Sequence, residues 1–480
     1  MNKQFFLYAI SRAIILEGFC FLIPLGTSQQ RIEFEFYLAC CFVTIILGLI
    51  LNRFSRNLKR RIELIDCAVV LVAIFPILAL IGSIPFAWTE WLSPIDAFLE
   101  SISDLTTASL SLLEDRAPYS LKIWQGVLMW LGGSIFLIAL VTILPQVSGS
   151  FGIDLSIRQG QIFSPMIGQM KFMASRVFVI YCLLSLTAFI MFSMTGLNTF
   201  DSIAMVTRSI STGGGNFFPA EGNILAEFIS AVTMLIASVN ILLIHFIFTR
   251  REPKMLLRDS EIKTMLILIL TAGLPIFFHL FTNPNFEDVF ANFSVAFHRA
   301  FFHVISFLTT TGFKGDEVLQ WNDFDWFLLL LLSWCGGCMG SVTGGMKIIR
   351  WLVLFKVTSV EISKTIHPRM VTSIRVSDSA VPMKIVGRIL SYFFLVLIIF
   401  FGCSVIFSLS GVRFSTAVGM SMACLTTIGI APGLCVAETF LNLPIVMKIF
   451  CCLVLIIGRV EIFAVMILLQ AVNMRRKKVW

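Results

Sequence analysis

Apolar stretches long enough to cross a lipid bilayer recur along the whole chain, and this recurrence leaves few folds open to it. Crossing a bilayer takes about 20 apolar residues, and a helix satisfies its backbone polar groups internally. Hydrophobic residues make up 58% of the 480 residues and charged residues only 13%, a composition that excludes a soluble globular protein. The sequence therefore predicts an all-α polytopic membrane protein.

One pattern occurs four times after two predicted spans near 5–25 and 36–52. It consists of a span, a short apolar segment, a loop with threonine and glycine, and a second span. Repetition at this scale is typical of an architecture built from copies of one unit. We predict an N-terminal helix hairpin followed by four tandem membrane–pore–membrane repeats around one pseudo-fourfold pore. The predicted boundaries are 1–61 for the hairpin and 62–150, 151–258, 259–360 and 361–480 for the repeats.

The short apolar segments have about 10–12 residues, too few to cross a bilayer, and fit re-entrant half-helices. Their partially negative C-terminal ends would point toward the threonine–glycine loops. The short segments are predicted near 95–105, 199–210, 297–308 and 413–424, and the second spans near 122–144, 225–248, 325–352 and 446–471.

We call the four threonine–glycine loops segments 1 to 4; they cover residues 105–109, 211–214, 310–313 and 427–430. Small polar residues and glycine are costly in apolar surroundings, and a ring of backbone carbonyls around a cation explains them best. Glycine reaches positive φ cheaply and lets successive carbonyls face the same way, while a threonine hydroxyl can brace the loop. The predicted cation ligands lie at Thr106, Thr107, Ala108, Ser109, Thr212, Gly213, Gly214, Thr310, Thr311, Gly312, Thr427, Ile428 and Gly429.

Segment 1 departs from the other three because Ser109 stands where they carry glycine. A serine in a left-handed conformation costs roughly 1–2 kcal/mol. Either the loop relaxes, or the serine hydroxyl replaces one carbonyl ligand. Both alternatives would weaken discrimination between K⁺ and Na⁺.

The distribution of charge predicts the topology. Lysine and arginine concentrate in the loops 53–63, 249–263 and 353–384 and in the tail 475–478. The positive-inside rule then places these loops and both termini in the cytoplasm. The stretch 87–121 on the opposite side is acidic, so segments 1 to 4 would open toward an outer mouth that concentrates cations. The net charge of +8 therefore reflects topology, and we expect no nucleic-acid partner.

Five glycines within ten residues interrupt the second span of the third repeat. Glycine costs about 1 kcal/mol in a helix interior, so we expect the helix to break here. One interpretation is a flexible loop below the ring that blocks the pore until it is displaced, with Lys347 near the ion path. The alternative is close helix packing through small residues. The candidate gating residues are Gly336, Gly337, Gly340, Ser341, Gly344, Gly345 and Lys347.

Arg459 lies within the last predicted span, between apolar runs. An unpaired charge there would cost at least roughly 2.5–3.5 kcal/mol, so Arg459 should face water or a partner. Beneath a cation filter it would form an electrostatic barrier; the alternative is a salt bridge. Glu461, two residues away, lies on a different helix face and is a poor partner.

Several longer motifs resemble those of a known family. They are the glycine-rich stretch 336–350, the stretch 366–369 (Ile-His-Pro-Arg), the stretch 458–463 (Gly-Arg-Val-Glu-Ile-Phe), and Trp130-Leu131-Gly132-Gly133. On these motifs the chain resembles the membrane subunits of the Trk/Ktr/HKT superfamily of potassium transporters, most closely the TrkH type. The resemblance covers essentially the whole chain.

The resemblance implies potassium uptake through a gated, channel-like pore, with K⁺ as the transported ligand and no covalently bound cofactor. It also implies a homodimer in a bacterial inner membrane and a cytoplasmic nucleotide-binding regulatory subunit of the TrkA type, and it favours a gate at 336–345. Two departures bear on selectivity. Ser109 replaces a family glycine, which in plant members goes with sodium permeation, and Gly215 stands where the family usually has phenylalanine.

Three alternative functions compete with potassium uptake. A membrane enzyme is disfavoured, since His298 and His303 are five residues apart, the wrong spacing for a zinc-binding H-E-x-x-H helix. A secondary cation symporter with broken helices would suit the glycine breaks but not the parallel fourfold pattern. A sodium-permeable or non-selective member of the same superfamily stays open because of Ser109.

Overall fold

The structure, a computed structural model, describes residues 2–28, 30–55, 64–114, 116–142, 170–220, 222–250, 252–282, 293–313, 321–367, 369, 373–376, 379–429, 431 and 434–476. Helices make up almost all of the regular structure in these ranges. The exception is an antiparallel pair of two-residue strands, β1 (Arg375–Val376) and β2 (Ser379–Ala380), in which Arg375 pairs with Ala380.

The N-terminal hairpin consists of α1 (Lys3–Cys20), the short α2 (Leu22–Leu25) and α3 (Arg31–Phe54). Two glycines set the distance between α1 and α3. A Cβ on Gly18 would lie 2.7 Å from Cγ1 of Ile45, and a Cβ on Gly48 would lie 2.5 Å from Cγ1 of Ile15. Small residues at these crossings let two apolar helices pack closely, as is common in membranes.

The first two repeats follow the predicted order. Each has a long helix, a short helix that leads into a segment, and a second long element. The first repeat comprises α4 (Leu64–Gly82), α5 (Ile84–Trp88), the short helix α6 (Pro94–Leu105) and α7 (Tyr119–Thr142). The second comprises α8 (Met170–Ser193), the short helix α9 (Thr199–Ile210), α10 (Ile224–Ser238) and α11 (Ile241–Arg250).

The last two repeats have the same order, and their second elements, like that of the second repeat, are interrupted. After α12 (Lys254–Arg258), the third repeat comprises α13 (Ser260–Thr282), the short helix α14 (Phe293–Leu308), α15 (Asp323–Cys335) and α16 (Ile348–Ile366). The fourth comprises α17 (Met383–Ser408), the short helix α18 (Phe414–Thr426), α19 (Ala437–Leu441), α20 (Ile445–Val460) and α21 (Ile462–Arg476).

Local sequence explains where the first two short helices begin. The side chain of Ser93 accepts a hydrogen bond from the backbone of Asp96, and Pro94 occupies the first turn of α6. Asn198 caps α9 in the same way through the backbone N–H of Asp201. Such caps satisfy N–H groups that a helix start leaves free. Both helices therefore start at a fixed residue and end directly at their segment.

The four repeats close into a ring. The second long helix of each repeat packs against the short helix of the next one, in the pairs α7–α9, α10–α14, α15–α18 and α20–α6. The last pair joins the fourth repeat to the first, where Lys448 Nζ lies 2.5 Å from Oδ1 of Asp96. The fold is therefore the predicted all-α arrangement, with the four short helices directed into one ring.

Within the described ranges, seven helices are long and apolar enough to span a membrane, or up to nine if two bent pairs each count as one span. The continuous helices predicted over 225–248 and 446–471 are wrong. The first bends by 93° between α10 and α11, and the second bends by 113° after α20. At the first bend the N–H of Ile241 bonds the carbonyl of Gly340, and at the second Glu461 has φ 69°.

Two of the four predicted repeat boundaries lie in described residues; one falls between helices and the other inside a helix. The boundaries at 61/62 and 150/151 lie outside the described residues, as do the basic residues 56–61. The boundary at 258/259 falls between α12 and α13, whereas 360/361 falls inside α16, which continues to Ile366.

Candidate functional site

Segments 1 to 4 share one backbone conformation. Each segment contains a threonine with positive φ: φ is 57° at Thr107, 55° at Thr212, 55° at Thr310 and 53° at Thr427. The residue two places later again has positive φ in every segment: 50° at Ser109, 51° at Gly214, 72° at Gly312 and 82° at Gly429. Alternation of positive and negative φ lets neighbouring carbonyl oxygens face the same side of the chain, as in a carbonyl-lined filter.

Equivalent hydrogen bonds attach each segment to the short helix that precedes it. In each segment the residue after the left-handed threonine donates its N–H to the carbonyl five residues earlier. Because four different sequences make the same bond, the segments are structural equivalents. The pairs are Ala108 to Ser103 at 2.8 Å, Gly213 to Arg208 at 3.0 Å, Thr311 to Ser306 at 2.8 Å and Ile428 to Ala423 at 3.2 Å.

Close approaches between neighbouring segments join them into a closed ring. A Cβ on Gly214 would collide with the carbonyl oxygen of Thr311, and one on Gly312 with that of Ile428. A Cβ on Gly429 would collide with the carbonyl of Ala108 in segment 1, and one on Gly215, directly after segment 2, with the hydroxyl of Ser109, which closes the ring. The three glycines of the segments are thus needed both for their positive φ and because no side chain fits between the segments.

Ser109 adopts the conformation of the three glycines, so the relaxed loop considered above for segment 1 is not formed. Its φ is 50°, it is buried, and its hydroxyl lies 3.1 Å from the hydroxyl of Ser111. A short polar side chain that bonds locally is one of the few that tolerate a left-handed position. Segment 1 therefore keeps the shared backbone and adds a hydroxyl to the wall of the ring.

In segments 1, 3 and 4 two successive threonines at the end of the short helix have different roles. The hydroxyls of Thr106, Thr309 and Thr426 each donate to the carbonyl four residues earlier, at 2.8 Å, and brace the helix end. The hydroxyl oxygens of the following residues Thr107 and Thr427, and of Thr212 in segment 2, are buried and have no hydrogen-bond partner in the described part of the chain. Buried polar atoms normally have a partner, so these oxygens mark a place for a ligand.

The glycine-rich stretch breaks the helix as predicted. Residues 336–347, which we call the 336–347 loop, separate α15 from α16, with positive φ at Gly336, Gly340, Gly345 and Lys347. The loop is cross-linked internally. Gly337 N–H donates to the hydroxyl of Thr343 at 3.1 Å, and the Lys347 ammonium donates to the backbone carbonyl and hydroxyl of that residue.

The 336–347 loop lies directly against segments 3 and 4. The N–H of Gly344 donates to the hydroxyl of Thr310 at 2.7 Å. A Cβ on Gly344 would collide with the carbonyl of Thr426 and the hydroxyl of Thr427. The loop therefore covers the ring on the side of the left-handed threonine hydroxyls.

Other parts of the chain hold the 336–347 loop in place. Cys338 N–H donates to the Ser238 carbonyl at 3.0 Å, and Met339 N–H donates to a carboxylate oxygen of Glu261 at 3.0 Å. Glu261 is only 1% exposed. In the sequence its only signal is an acidic residue at the start of a span, which does not point to this contact.

Arg459 contacts the same loop from another side. One guanidinium nitrogen donates to the carbonyl of Val342 at 2.8 Å, and the guanidinium carbon lies 4.1 Å from the ring centre of Phe136. Glu461, expected to be a poor partner for Arg459, instead pairs with Arg350 at 2.9 Å. Segments 1 to 4, the 336–347 loop and Arg459 thus form one continuous column through the centre of the ring.

Comparison with known proteins supplies the family. The model of the TrkH family, described as a cation transport protein, matches residues 38–480. The TrkH potassium uptake protein of Escherichia coli K12 is 28% identical over 445 residues, covering 89% of each chain. The TrkH of Vibrio parahaemolyticus is 29% identical over 431 residues, covering 86% of this chain and 87% of that one.

A solved structure has the same fold. The crystal structure of the potassium transporter TrkH from Vibrio parahaemolyticus superimposes with a TM-score of 0.85 at 25% identity, covering 98% of this chain and 99% of that one. The match therefore includes the hairpin and all four repeats. By its sequence and its fold, the chain belongs to the TrkH family of cation transport proteins.

Proposed function

We propose that this chain is the membrane subunit of a potassium uptake system and that K⁺ passes through the centre of the ring of segments 1 to 4. The closed ring of four equivalent backbones carries the proposal, because nothing else in the described residues offers a fourfold set of oxygens. The names of relatives that take up potassium support the choice of ion.

In this proposal the carbonyl oxygens of segments 1 to 4 replace the hydration shell of the ion. Three of the left-handed threonines serve a second layer of the same site, since the unpartnered hydroxyl oxygens of Thr107, Thr212 and Thr427 would meet the ion where it leaves the carbonyls. The ring is preorganised because its backbone is fixed by the five-residue bonds to the short helices. An ion therefore finds its ligands in place.

The 336–347 loop acts as the gate. Its contacts with Thr310 and Thr427 block the path on the inner side of the ring, and Arg459 holds it through the carbonyl of Val342. The guanidinium also repels cations that leave the ring, which makes it an electrostatic barrier. Opening of the gate then requires all of these contacts of the loop to break.

The remaining features of the family complete the proposal. The protein is a multi-pass protein of the bacterial inner membrane with both termini in the cytoplasm, and it works as a homodimer and not as an enzyme. A cytoplasmic nucleotide-binding subunit of the TrkA type would dock on the basic loops, among them 353–384. Its binding energy would move the 336–347 loop, since a gate shifts only through differential binding to its two states.

A sodium-permeable transporter is the second candidate, and Ser109 is the observation that favours it. Its hydroxyl lies in the wall of segment 1, where the other segments have no side chain. An added hydroxyl oxygen suits a smaller, more strongly hydrated ion better than a ring of carbonyls alone.

Flux of K⁺ and of Na⁺ into vesicles reconstituted with the wild-type chain or Ser109→Gly tests both candidates. We expect faster K⁺ than Na⁺ entry in the wild type and a further rise of about threefold in the K⁺/Na⁺ ratio on substitution. Equal entry of the two ions in the wild type would favour the second candidate. No entry of either ion, with correctly folded protein in the vesicles, would contradict cation transport itself.

A further inference from the structure

One position of the short helices differs in kind among the four repeats. Four residues before the left-handed threonine stand Ser103, Arg208, Ser306 and Ala423. The two serines do the same thing. The hydroxyl of Ser103 accepts the N–H of Leu110 at 2.6 Å, and that of Ser306 accepts the N–H of Phe313 at 2.8 Å. In repeats 1 and 3, then, an uncharged acceptor braces the residue that follows the second left-handed position.

In repeat 2 Arg208 stands at this position and is a hydrogen-bond donor instead of an acceptor. Its guanidinium donates to the carbonyl oxygen of Gly214 at 2.7 Å, which is a carbonyl of segment 2 itself. The side chain is fully buried, and it also donates to the carbonyl of Lys122 at 3.0 Å and to the side-chain oxygen of Gln125 at 3.2 Å. A charged donor on an amide carbonyl makes a shorter and stronger bond than a neutral one.

Gly215 provides the room for this guanidinium. It occupies the place of Leu110 in repeat 1 and Phe313 in repeat 3, with φ 94°. A Cβ on Gly215 would lie 2.9 Å from the Arg208 nitrogen and 2.9 Å from the Ser111 hydroxyl, and it would collide with the hydroxyl of Ser109. The glycine, the arginine and the serine of segment 1 therefore depend on each other at the junction of segments 1 and 2.

Carboxylates of repeat 1 face the same guanidinium. Glu100 accepts a bond from the amide of Gln125, and both Glu100 and Asp104 interact electrostatically with Arg208. The carboxylate oxygens of Asp104 are buried and without a hydrogen-bond partner in the described ranges. A chain of polar contacts thus runs from α6 through Gln125 and Arg208 to the carbonyl of Gly214.

We propose that Arg208 is a positioning and specificity-determining residue for ion selection. It fixes the Gly214 carbonyl from the protein side and places a buried positive charge behind one quadrant of the ring. The fixed carbonyl sharpens discrimination by ion size, whereas the charge weakens cation binding, so the two effects are separable. The proposal rests on the ion path proposed above.

Reconstituted vesicles carrying the full chain test the proposal through the K⁺ concentration for half-maximal uptake, the maximal rate and the K⁺/Na⁺ ratio. Arg208→Gln removes the charge, and we expect the half-saturating K⁺ concentration to fall about tenfold, because a repulsive charge near the ion is lost. Arg208→Lys keeps the charge but not the forked set of donors. For it we expect half-saturation within about twofold of wild type and a K⁺/Na⁺ ratio about threefold lower.

Arg299→Gln is the matched control. Arg299 lies on the short helix of the next repeat and pairs with Glu227 at 3.3 Å, so its replacement removes the same charge away from the filter backbone. We expect its half-saturation and its ion ratio to stay at the wild-type values.

Two results would overturn the role of Arg208 while leaving the ion path standing. One is cation uptake by the wild type together with an Arg208→Lys variant whose half-saturating K⁺ concentration and K⁺/Na⁺ ratio both equal those of the wild type. The other is a Gln or Lys variant that lowers only the maximal rate. If Arg208→Gln fails to fold, which thermal unfolding in detergent detects, the ion ratio of Arg208→Lys decides alone. A folded wild type without cation uptake would instead contradict the proposed function.

Discussion

The first and third repeats carry the same segment backbone but differ in the element that follows it. In the first repeat α7 runs unbroken from Tyr119 to Thr142. In the third, α15 ends at Cys335 and the 336–347 loop turns back against segments 3 and 4. Under the proposed function, selection would use all four copies of one geometry, whereas the gate would need only one loop. The difference indicates how one chain of repeats would separate selection from gating.

The largest effect is expected from breaking the shared geometry at one quadrant. Gly312→Ala adds a side chain where φ is 72° and where the Ile428 carbonyl leaves no room. The strain is roughly 1–2 kcal/mol for the left-handed backbone and roughly 1–3 kcal/mol for the overpacking. We expect uptake of K⁺ by vesicles to fall about 100-fold.

Gly402→Ala is the control for that substitution. Gly402 lies in α17, and a Cβ there meets nothing within 4 Å. Uptake should stay at the wild-type rate. A Gly312→Ala variant as active as this control would mean that the ring need not close at segment 3.

A smaller effect of opposite sign is expected from loosening the 336–347 loop, which Arg459 contacts from α20. Arg459→Ala removes both the bond to the Val342 carbonyl and the buried charge beneath the ring. We expect K⁺ flux at equal protein content to rise about tenfold, which corresponds to the loss of about one charge-assisted bond from the closed state. The exposed Arg413, changed to alanine, serves as the control. Unchanged or lower flux in Arg459→Ala would refute the barrier.

The smallest effect is expected from replacing Glu261, whose carboxylate accepts the N–H of Met339 in the 336–347 loop. Glu261→Ala removes the acceptor for the Met339 N–H, a contact worth about 1 kcal/mol. K⁺ flux should rise about threefold, because the closed position of the loop loses part of its support. Replacement of the exposed Glu252 should change nothing. A fall in flux would indicate that Glu261 supports the open position instead.

Much of the fold could be predicted because its signals are local and repeated. Glycine in apolar surroundings identified Gly214, Gly312 and Gly429, and the shared register marked Ser109 as different. The structure gives all four positions the positive φ expected of such sites. Their function as cation ligands stays a prediction.

The features that were missed depend on contacts distant in sequence or on disfavoured conformations. The left-handed threonines run against β-branched preference, so no propensity rule finds Thr107 or Thr310. The bend after α10 forms where Ile241 bonds Gly340, about 100 residues away. In the sequence Arg208 is only a polar residue on a short helix, and its bond to the carbonyl of Gly214 is visible only in the structure.

The bi-ionic reversal potential of Arg459→Ala, with K⁺ on one side of a planar bilayer and Na⁺ on the other, tests most directly whether selection and gating are separate. If the ring selects and the 336–347 loop only gates, the variant carries a larger current at the wild-type K⁺/Na⁺ permeability ratio, within about twofold. A ratio that falls toward one as the current rises would show that the loop and Arg459 take part in selection, and would contradict the account.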